Sequence, residues 1–383
     1  MKITVLGAGM MGRAVAFDLE KYSNFSKITV ADKDEQILQS AKFFLKGKKI
    51  DFSIINVNDS KDVKKHFQHV DVAISAVPYR FNYELTKIAV ETKTHFLDLG
   101  GNNDIVNRQR SLSSEARKNG VTIIPDCGLA PGMASVITRD IVEEMDSVDY
   151  VKLRVGGLPL NPKPPLNYQI VFSPYGLINE YVEDAIVLDH GEIIEKQSMT
   201  ELETIKFPKP FDEMEAFLTS GGCSTLPYTY KNKIDYLDYK TIRYPGHCKK
   251  FKTLLDLGFA DETKIPVGDM QVVPRELLAS LLLEKLPINE KDVVLIKVLS
   301  RGMKNGKNLS LDYIVIDYYD GKNGITAMMR TTAYPISITA QMIERNMIKE
   351  RGVFCSVEIV PPKPFFEELK KRNIIINKRI EYE

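Results

Sequence analysis

Gly7-Ala8-Gly9-Met10-Met11-Gly12 follows the apolar run Ile3-Thr4-Val5-Leu6, opens a helical pattern, and is answered by Asp32 at the end of the next run, Ile28-Thr29-Val30-Ala31. Few local patterns constrain a chain more. Three glycines at this spacing between a strand and a helix permit a tight turn at Gly7, close backbone approach by a pyrophosphate at Gly9, and close helix–strand packing at Gly12. The helix N-terminus, beginning at Met10 and Met11, then faces the phosphates with unsatisfied N–H groups. Asp32 is placed to hold a ribose 2′-hydroxyl, and its charge opposes a 2′-phosphate, so the spacing predicts NAD in preference to NADP, with Lys33 beside it softening that preference.

A chain of 383 residues exceeds what one core usually supports, which predicts two domains. Lys+Arg 52 against Asp+Glu 51 leaves no global field to attract nucleic acid or an anionic membrane surface, so the expected partners are a small-molecule substrate and other subunits. Cys127, Cys223, Cys248 and Cys355 are scattered, without the spacing of a disulfide framework or a zinc site. No metal is expected. The chain enters strand residues at once and has no apolar segment of membrane-spanning length, so the expectation is a cytoplasmic protein.

Up to about Pro125, short β-branched runs (Ile28 to Ala31, Phe52 to Asn56, Val70 to Ser75, His95 to Leu97, Val121 to Ile124) alternate with helical patterns such as Gln36 to Leu45 and Tyr83 to Glu91. Such alternation predicts an α/β fold with a doubly wound parallel sheet of the Rossmann type. After the helix Met133 to Met145 the pattern changes. Tyr150 to Val155, Tyr168 to Phe172, Tyr236 to Arg243, Val293 to Leu299, Leu311 to Asp317 and Gly324 to Arg330 read as strands joined by hairpin turns, hence an α+β domain with a largely antiparallel sheet. Pro335 is expected to start one helix and Pro361-Pro362 to precede another. The expected division is 1–128 for the nucleotide domain, 129–332 for substrate binding and dimerisation, and 333–383 for C-terminal helices that return to the first domain.

Ser75-Ala76-Val77-Pro78-Tyr79 ends the fourth strand of the parallel sheet, where open α/β sheets place their ligand crevice, so Ala76, Val77 and Pro78 are expected against the cofactor and Tyr79 within reach of substrate. Asp126 follows the sixth strand and is a candidate proton acceptor, since a dry crevice raises a carboxyl pKa toward neutrality. Cys127, next to it, is a weaker candidate, a small hydrophobe on the cofactor side whose thiol pKa nothing in the sequence lowers. In Arg243-Tyr244-Pro245-Gly246-His247 the guanidinium suits a bidentate grip on a carboxylate, and His247, near a helix N-terminus, is expected to stay neutral and relay a proton. Each residue also has a structural alternative: Tyr79 packing in its loop, Asp126 capping a turn, His247 capping or packing.

Together, the glycine motif, Val77-Pro78-Tyr79, the Asp126-Cys127-Gly128 to Pro131-Gly132 segment, Pro165-Leu166-Asn167-Tyr168, Ser173 to Tyr181, and Arg243 to His247 resemble the saccharopine dehydrogenase (saccharopine reductase) superfamily almost end to end. Arg330-Thr331-Thr332-Ala333-Tyr334-Pro335 and the ending Pro361 to Phe366 most resemble its NAD-dependent L-lysine 6-dehydrogenase branch. The resemblance implies a Rossmann domain with an α/β substrate domain, a homodimer, Tyr79 and Asp126 beside the nicotinamide, and Arg243 with Asn167 and Tyr168 at the amino-acid end. Glu180 is the candidate partner for the substrate's α-amine. Members that reduce with NADPH are expected to carry small and basic residues where this chain has Asp32. The implied activity is oxidative deamination of L-lysine at its ε-amine through an imine, giving a semialdehyde that cyclises, and ammonia. The alternative within the superfamily is saccharopine dehydrogenase chemistry, which joins or separates an amine and a semialdehyde. A dinucleotide-sensing regulator without turnover is the non-enzymatic alternative.

Overall fold

The computed structural model describes residues 1–171, 173–288 and 290–382. The first of two compact units comprises Met1–Glu143, Ser224–Leu226 and Met329–Ile375, and the second Glu144–Cys223, Pro227–Met328 and Ile376–Glu383. The seam therefore falls after the helix Met133–Glu144 and not before it, because that helix buries Met133, Ala134, Val136, Ile137 and Ile141 on one face.

In the first unit β1 (Lys2–Leu6), β2 (Lys27–Asp32), β3 (Ile50–Ile54), β4 (Val72–Ser75), β5 (His95–Asp98) and β6 (Thr122–Ile124) form a parallel sheet in the order β3-β2-β1-β4-β5-β6, extended by Gly352–Val353. This is the doubly wound Rossmann order. The strands read as continuous apolar runs because helices cover both faces, leaving Ile3, Val5, Val30, Ile74 and Ile123 fully buried. The order reverses beside β1, so the loops leaving β1 and β4 diverge around one crevice. Register confirms their adjacency: Leu6 lies opposite Ala31 on one side and Ser75 on the other.

The helix Pro362–Lys371 and the residue after it fasten the C-terminal segment to α1 (Met10–Tyr22). Arg372 donates Nε to Asp18 Oδ1 at 2.6 Å and Nη2 to Oδ2 at 2.9 Å, and Ser337 and Gln341 fill the remaining acceptor capacity of that fully buried carboxylate.

The second unit is built on a nine-stranded sheet. Its main path runs Glu203–Lys206, Glu213–Leu218, Ile234–Arg243, Ser147–Pro159, Asp292–Lys304, Lys307–Tyr318 and Asn377–Tyr382, with Ala185–Asp189 and Glu192–Lys196 beside it. Only Ile234–Arg243 and Ser147–Pro159 pair in parallel among the described residues. The long hairpin turns at Asn305-Gly306, both with positive φ, the geometry that matches strand twist.

Three expectations need correction. Tyr168 to Phe172 is not a strand: Asn167 has φ 52°, Leu166, Tyr168, Ile170 and Val171 are all buried without alternation, and one isolated bridge joins Ile170 to Ile288. Phe172 lies outside the described residues. Gly324 to Arg330 enters a helix, Ala327–Glu344, because the Asp292 carboxylate accepts the N–H groups of Ala327 and Met328 at 2.6 and 2.9 Å and caps a run of good helix formers. Pro335 consequently sits inside that helix and does not begin it. Among the described residues no helix is long and apolar enough to cross a membrane.

Candidate functional site

The three motif glycines are required for three different reasons. A Cβ on Gly7, whose φ is 96°, would stand 2.7 Å from the carbonyl oxygen of Ala76, and one on Gly12 would collide with the carbonyl of Gly7. A Cβ on Gly9 would meet no atom of another part of the chain within 4 Å. That open space lies at the start of α1, where no side chain caps the first-turn N–H groups, so the cradle fits a pyrophosphate. The cleft beside it, about 360 Å³, is lined by Gly9, Asp32, Ile55, Val77, Arg80 and Phe81 among others, apolar walls with polar groups at the ends. Asp32 is held firmly, Oδ2 accepting from Ala8 N–H at 2.8 Å and Oδ1 from Asp34 N–H at 3.0 Å. Ala76 and Pro78 also border the cleft, as does Lys33. Met10 and Met11 open α1.

A second group forms where β5 and β6 end. Asp126 is buried with φ 61°, its Oδ2 accepts from the Ser224 hydroxyl, and its buried Oδ1 has no partner among the described residues. Burial pushes this carboxyl up to about 7; the Ser224 hydrogen bond opposes the shift and the Asp98 charge adds to it. Asp98, also fully buried, is pushed up to about 6 by burial. Tyr79 and Asp126 border the same glycine turn: a Cβ on Gly101 would meet the Tyr79 ring at 3.1 Å, and one on Gly100 would collide with Asp126 Oδ1. Tyr79 lies on a short 3-10 turn and is 38% exposed, so its hydroxyl is free to approach a ligand. Cys127 donates its thiol to the Ile124 carbonyl at 3.4 Å, and burial raises its pKa well above the ordinary value, which leaves it a packed thiol and not a nucleophile.

The second unit gathers Arg243, His247, Tyr168 and Glu180 around Tyr181. Arg243 ends its strand almost fully buried, its guanidinium 4.7 Å from the Tyr168 ring centre, with Nε donating to Tyr181 Oη at 2.8 Å and Nη1 to the Ile242 carbonyl at 2.9 Å. Burial alone would lower its pKa, but Tyr181, Tyr168 and Glu180 raise it. No carboxylate of a described residue lies within ion-pair distance of this guanidinium, in contrast to the other buried arginine of the sheet, Arg154, which Asp238 grips with both oxygens. A desolvated cation without a counter-ion is costly, and an incoming carboxylate relieves it. The Glu180 carboxylate accepts no hydrogen bond from a described residue, and burial raises it to about 7 against the pull of Arg243. Asn167 shapes the turn that delivers Tyr168. His247 is not free to relay a proton outward within its unit: Nδ1 lies 2.9 Å from the Leu166 carbonyl and Nε2 3.0 Å from Tyr181 Oη.

The sequence reading passed over Asp98, Ser224 and Tyr181. A signal for Asp98 exists, since an acid between a strand and the pair Gly100-Gly101 marks a shaped turn at the crevice edge. Ser224 reaches Asp126 only through tertiary structure and has no local signature.

Residues 128–375 match the model of the saccharopine dehydrogenase C-terminal domain, and residues 3–124 that of the saccharopine dehydrogenase NADP binding domain. The rat mitochondrial alpha-aminoadipic semialdehyde synthase is 21% identical over 98% of this chain and 47% of its own length. A saccharopine dehydrogenase [NADP(+), L-glutamate-forming] of Pyricularia oryzae is 24% identical over 76% of this chain and 65% of its own. The chain thus spans about half the length of the first of these relatives. Among solved structures, the apo L-Glu-forming saccharopine dehydrogenase of Saccharomyces cerevisiae superposes with a TM-score of 0.81, at 19% identity and 99% coverage of both chains. Homospermidine synthase of Legionella pneumophila, solved with NAD, gives 0.66 at 12% identity, covering 99% of this chain and 91% of that one. With both halves matched in sequence order and the whole fold shared, the chain belongs to the saccharopine dehydrogenase family.

Proposed function

We propose that this protein is a pyridine-nucleotide oxidoreductase acting on a carbon–nitrogen bond of an amino-acid substrate, and that the substrate is saccharopine or its parts, semialdehyde and glutamate. The observation that carries the reading is the buried, counter-ion-free Arg243, stacked on Tyr168 and oriented by Tyr181, in a chain that also holds a dinucleotide cradle. Arg243 receives the substrate's carboxylate in two parallel hydrogen bonds, and Glu180 meets its α-ammonium group. Asp126 accepts the proton that the substrate nitrogen must lose before oxidation and returns one when the reaction runs toward the amine. A dinucleotide held by the Gly7–Gly12 turn and Asp32 would supply the hydride acceptor or donor for the carbon that bears nitrogen. Water then adds to the resulting imine, and the carbon–nitrogen bond breaks to give an aldehyde and an amine.

The names of the relatives favour saccharopine over lysine. Deamination of lysine remains the second reading, favoured by the fact that Arg243 is the buried cation of the second unit without a carboxylate partner among the described residues, and lysine brings a single carboxylate. The firmly held Asp32 supports NAD over NADP, although the matched domain family is described as NADP-binding and Lys33 and Arg80 line the same cleft. A spectrophotometric assay following NADH or NADPH separates these readings. Turnover of saccharopine, with glutamate as product, is the expected result. NADH and ammonia from lysine alone would establish the second reading, and tight cofactor binding without turnover of either substrate would leave a regulator.

A further inference from the structure

We propose that Asp98 is the positioning residue of Asp126: its buried carboxylate ties the Gly100 turn to the Asp126 backbone and, by taking the negative charge, leaves the proton on the Asp126 carboxyl. The inference rests on the reading of Asp126 as the proton-handling group and extends it to a residue that never touches substrate.

The geometry comes first. Asp98 Oδ1 accepts the N–H of Gly100 at 2.8 Å, Oδ2 accepts Gln109 Nε2 at 2.7 Å, and the N–H of Asp126 also donates to this carboxylate. One side chain therefore fixes the loop after β5 and the residue after β6, and with them the left-handed backbone that Asp126 adopts. Gln109 is itself held: Nε2 also donates to Thr86 Oγ1 at 2.9 Å, and that hydroxyl donates to the Asn82 carbonyl at 2.7 Å. Gln109 is thus fixed with its amide N–H toward Asp98. Asp126 receives one hydroxyl, from Ser224, and leaves Oδ1 buried without a partner against Gly100.

Two buried carboxylates that feel each other's charge cannot both ionise cheaply, and the better-solvated one ionises first. Asp98 has three donors and takes the charge; Asp126 keeps the proton. The other groups facing Asp126 do not change this order. Arg110 is already committed to Glu358 through two hydrogen bonds, at 2.8 and 3.1 Å, and Cys127 and Cys355 are buried thiols whose pKa values burial raises.

The test is a pH titration of the full-length, cofactor-free protein by infrared difference spectroscopy, following the carbonyl stretch of protonated carboxyl groups. In the wild type Asp126 and Glu180 are both expected to titrate near 7, and the component that Asp126→Asn removes is that of Asp126. In Asp98→Asn the Asp126 component should move to lower pH by about one unit, because a neutral neighbour no longer opposes ionisation. If that variant does not fold, Gln109→Met serves: stripping a donor from Asp98 gives Asp98 the proton, and Asp126 again titrates lower. An Asp126 component unmoved in the folded variant overturns the inference, as does an Asp126→Asn titration that loses nothing near 7. Turnover reports separately on the reaction: if Asp126→Asn abolishes it while the band stays unmoved in Asp98→Asn, Asp126 keeps its role and Asp98 loses its own.

Discussion

Tyr181 donates its hydroxyl to His247 Nε2 at 3.0 Å. The direction follows from the other side of the ring, where Nδ1 faces the Leu166 carbonyl at 2.9 Å and must carry the proton, leaving Nε2 as acceptor. The phenol oxygen is thereby free to accept Arg243 Nε. A neutral imidazole thus orients a guanidinium through a tyrosine, with Phe217 and Phe251 stacked on the imidazole to keep water away.

Burial, with the Arg243 charge beside it, lowers the His247 pKa to about 3, which gives a signed prediction for stability. The unfolded chain binds this proton below about pH 6.5 and the folded one does not, so the stability contribution is complete above 6.5 and declines as pH falls toward 3. Between pH 6 and 4, His247→Asn should lose stability with falling pH less steeply than the wild type, by about 1 kcal/mol per pH unit, in urea melts. Parallel slopes would show that His247 is not held neutral.

Arg243→Lys keeps the charge but loses the planar fork and the contact with Tyr168. Substrate KM is expected to rise by about 10- to 100-fold, the cost of one or two charge-assisted hydrogen bonds, with cofactor affinity unchanged. Kinetics with saturating nucleotide measure the first and fluorescence titration the second. An unaltered KM removes Arg243 from substrate binding.

Asp126→Asn should lower kcat by about 10²- to 10⁴-fold and abolish the pH limb near 7. The same variant should be more stable than wild type at pH 8. The folded carboxyl holds its proton up to about 7 while the unfolded one releases it near 3.8, so between these values the folded state loses stability as pH rises. Asparagine escapes that loss, with a gain on the order of 2 kcal/mol. A loss of both activity and stability would point to a structural role alone.

The contact between Asp18 and Arg372 should dominate the anchoring of the C-terminal segment. Arg372→Met leaves a buried carboxylate with only Ser337 and Gln341, a loss of about 3–5 kcal/mol, whereas loss of the exposed, solvent-screened pair Lys87–Glu84 should leave stability nearly unchanged. Chemical denaturation of Arg372→Met and Lys87→Met separates the two.

The nucleotide unit was legible because its signals are local. Glycines at fixed spacing, β-branched runs and an acid ending the second strand each report on a few neighbouring residues, and the loops with Asp126 and Arg243 follow from strand ends. The second unit was legible as mostly antiparallel but not in detail. Glu192–Lys196 and Glu203–Lys206 are short and charged, with little apolar alternation, and packing alone makes them strands. Ala327-Met328-Met329-Arg330 was misread because a short apolar run suits either strand or helix, and the Asp292 cap that decides lies 35 residues away. The site was legible in its charged residues and illegible in what holds them. Ser224 and Tyr181 become visible only when the chain is folded.

The empty surroundings of Gly9 carry a consequence for reading variants of this protein. At Gly12 an added methyl group would disturb the fold, and a melting curve would register it; at Gly9 it meets no atom of the protein. Gly9→Ala should leave a chain that folds and melts like its parent yet has lost its purchase on the nucleotide. Screens that score abundance or heat resistance would pass such a lesion as harmless.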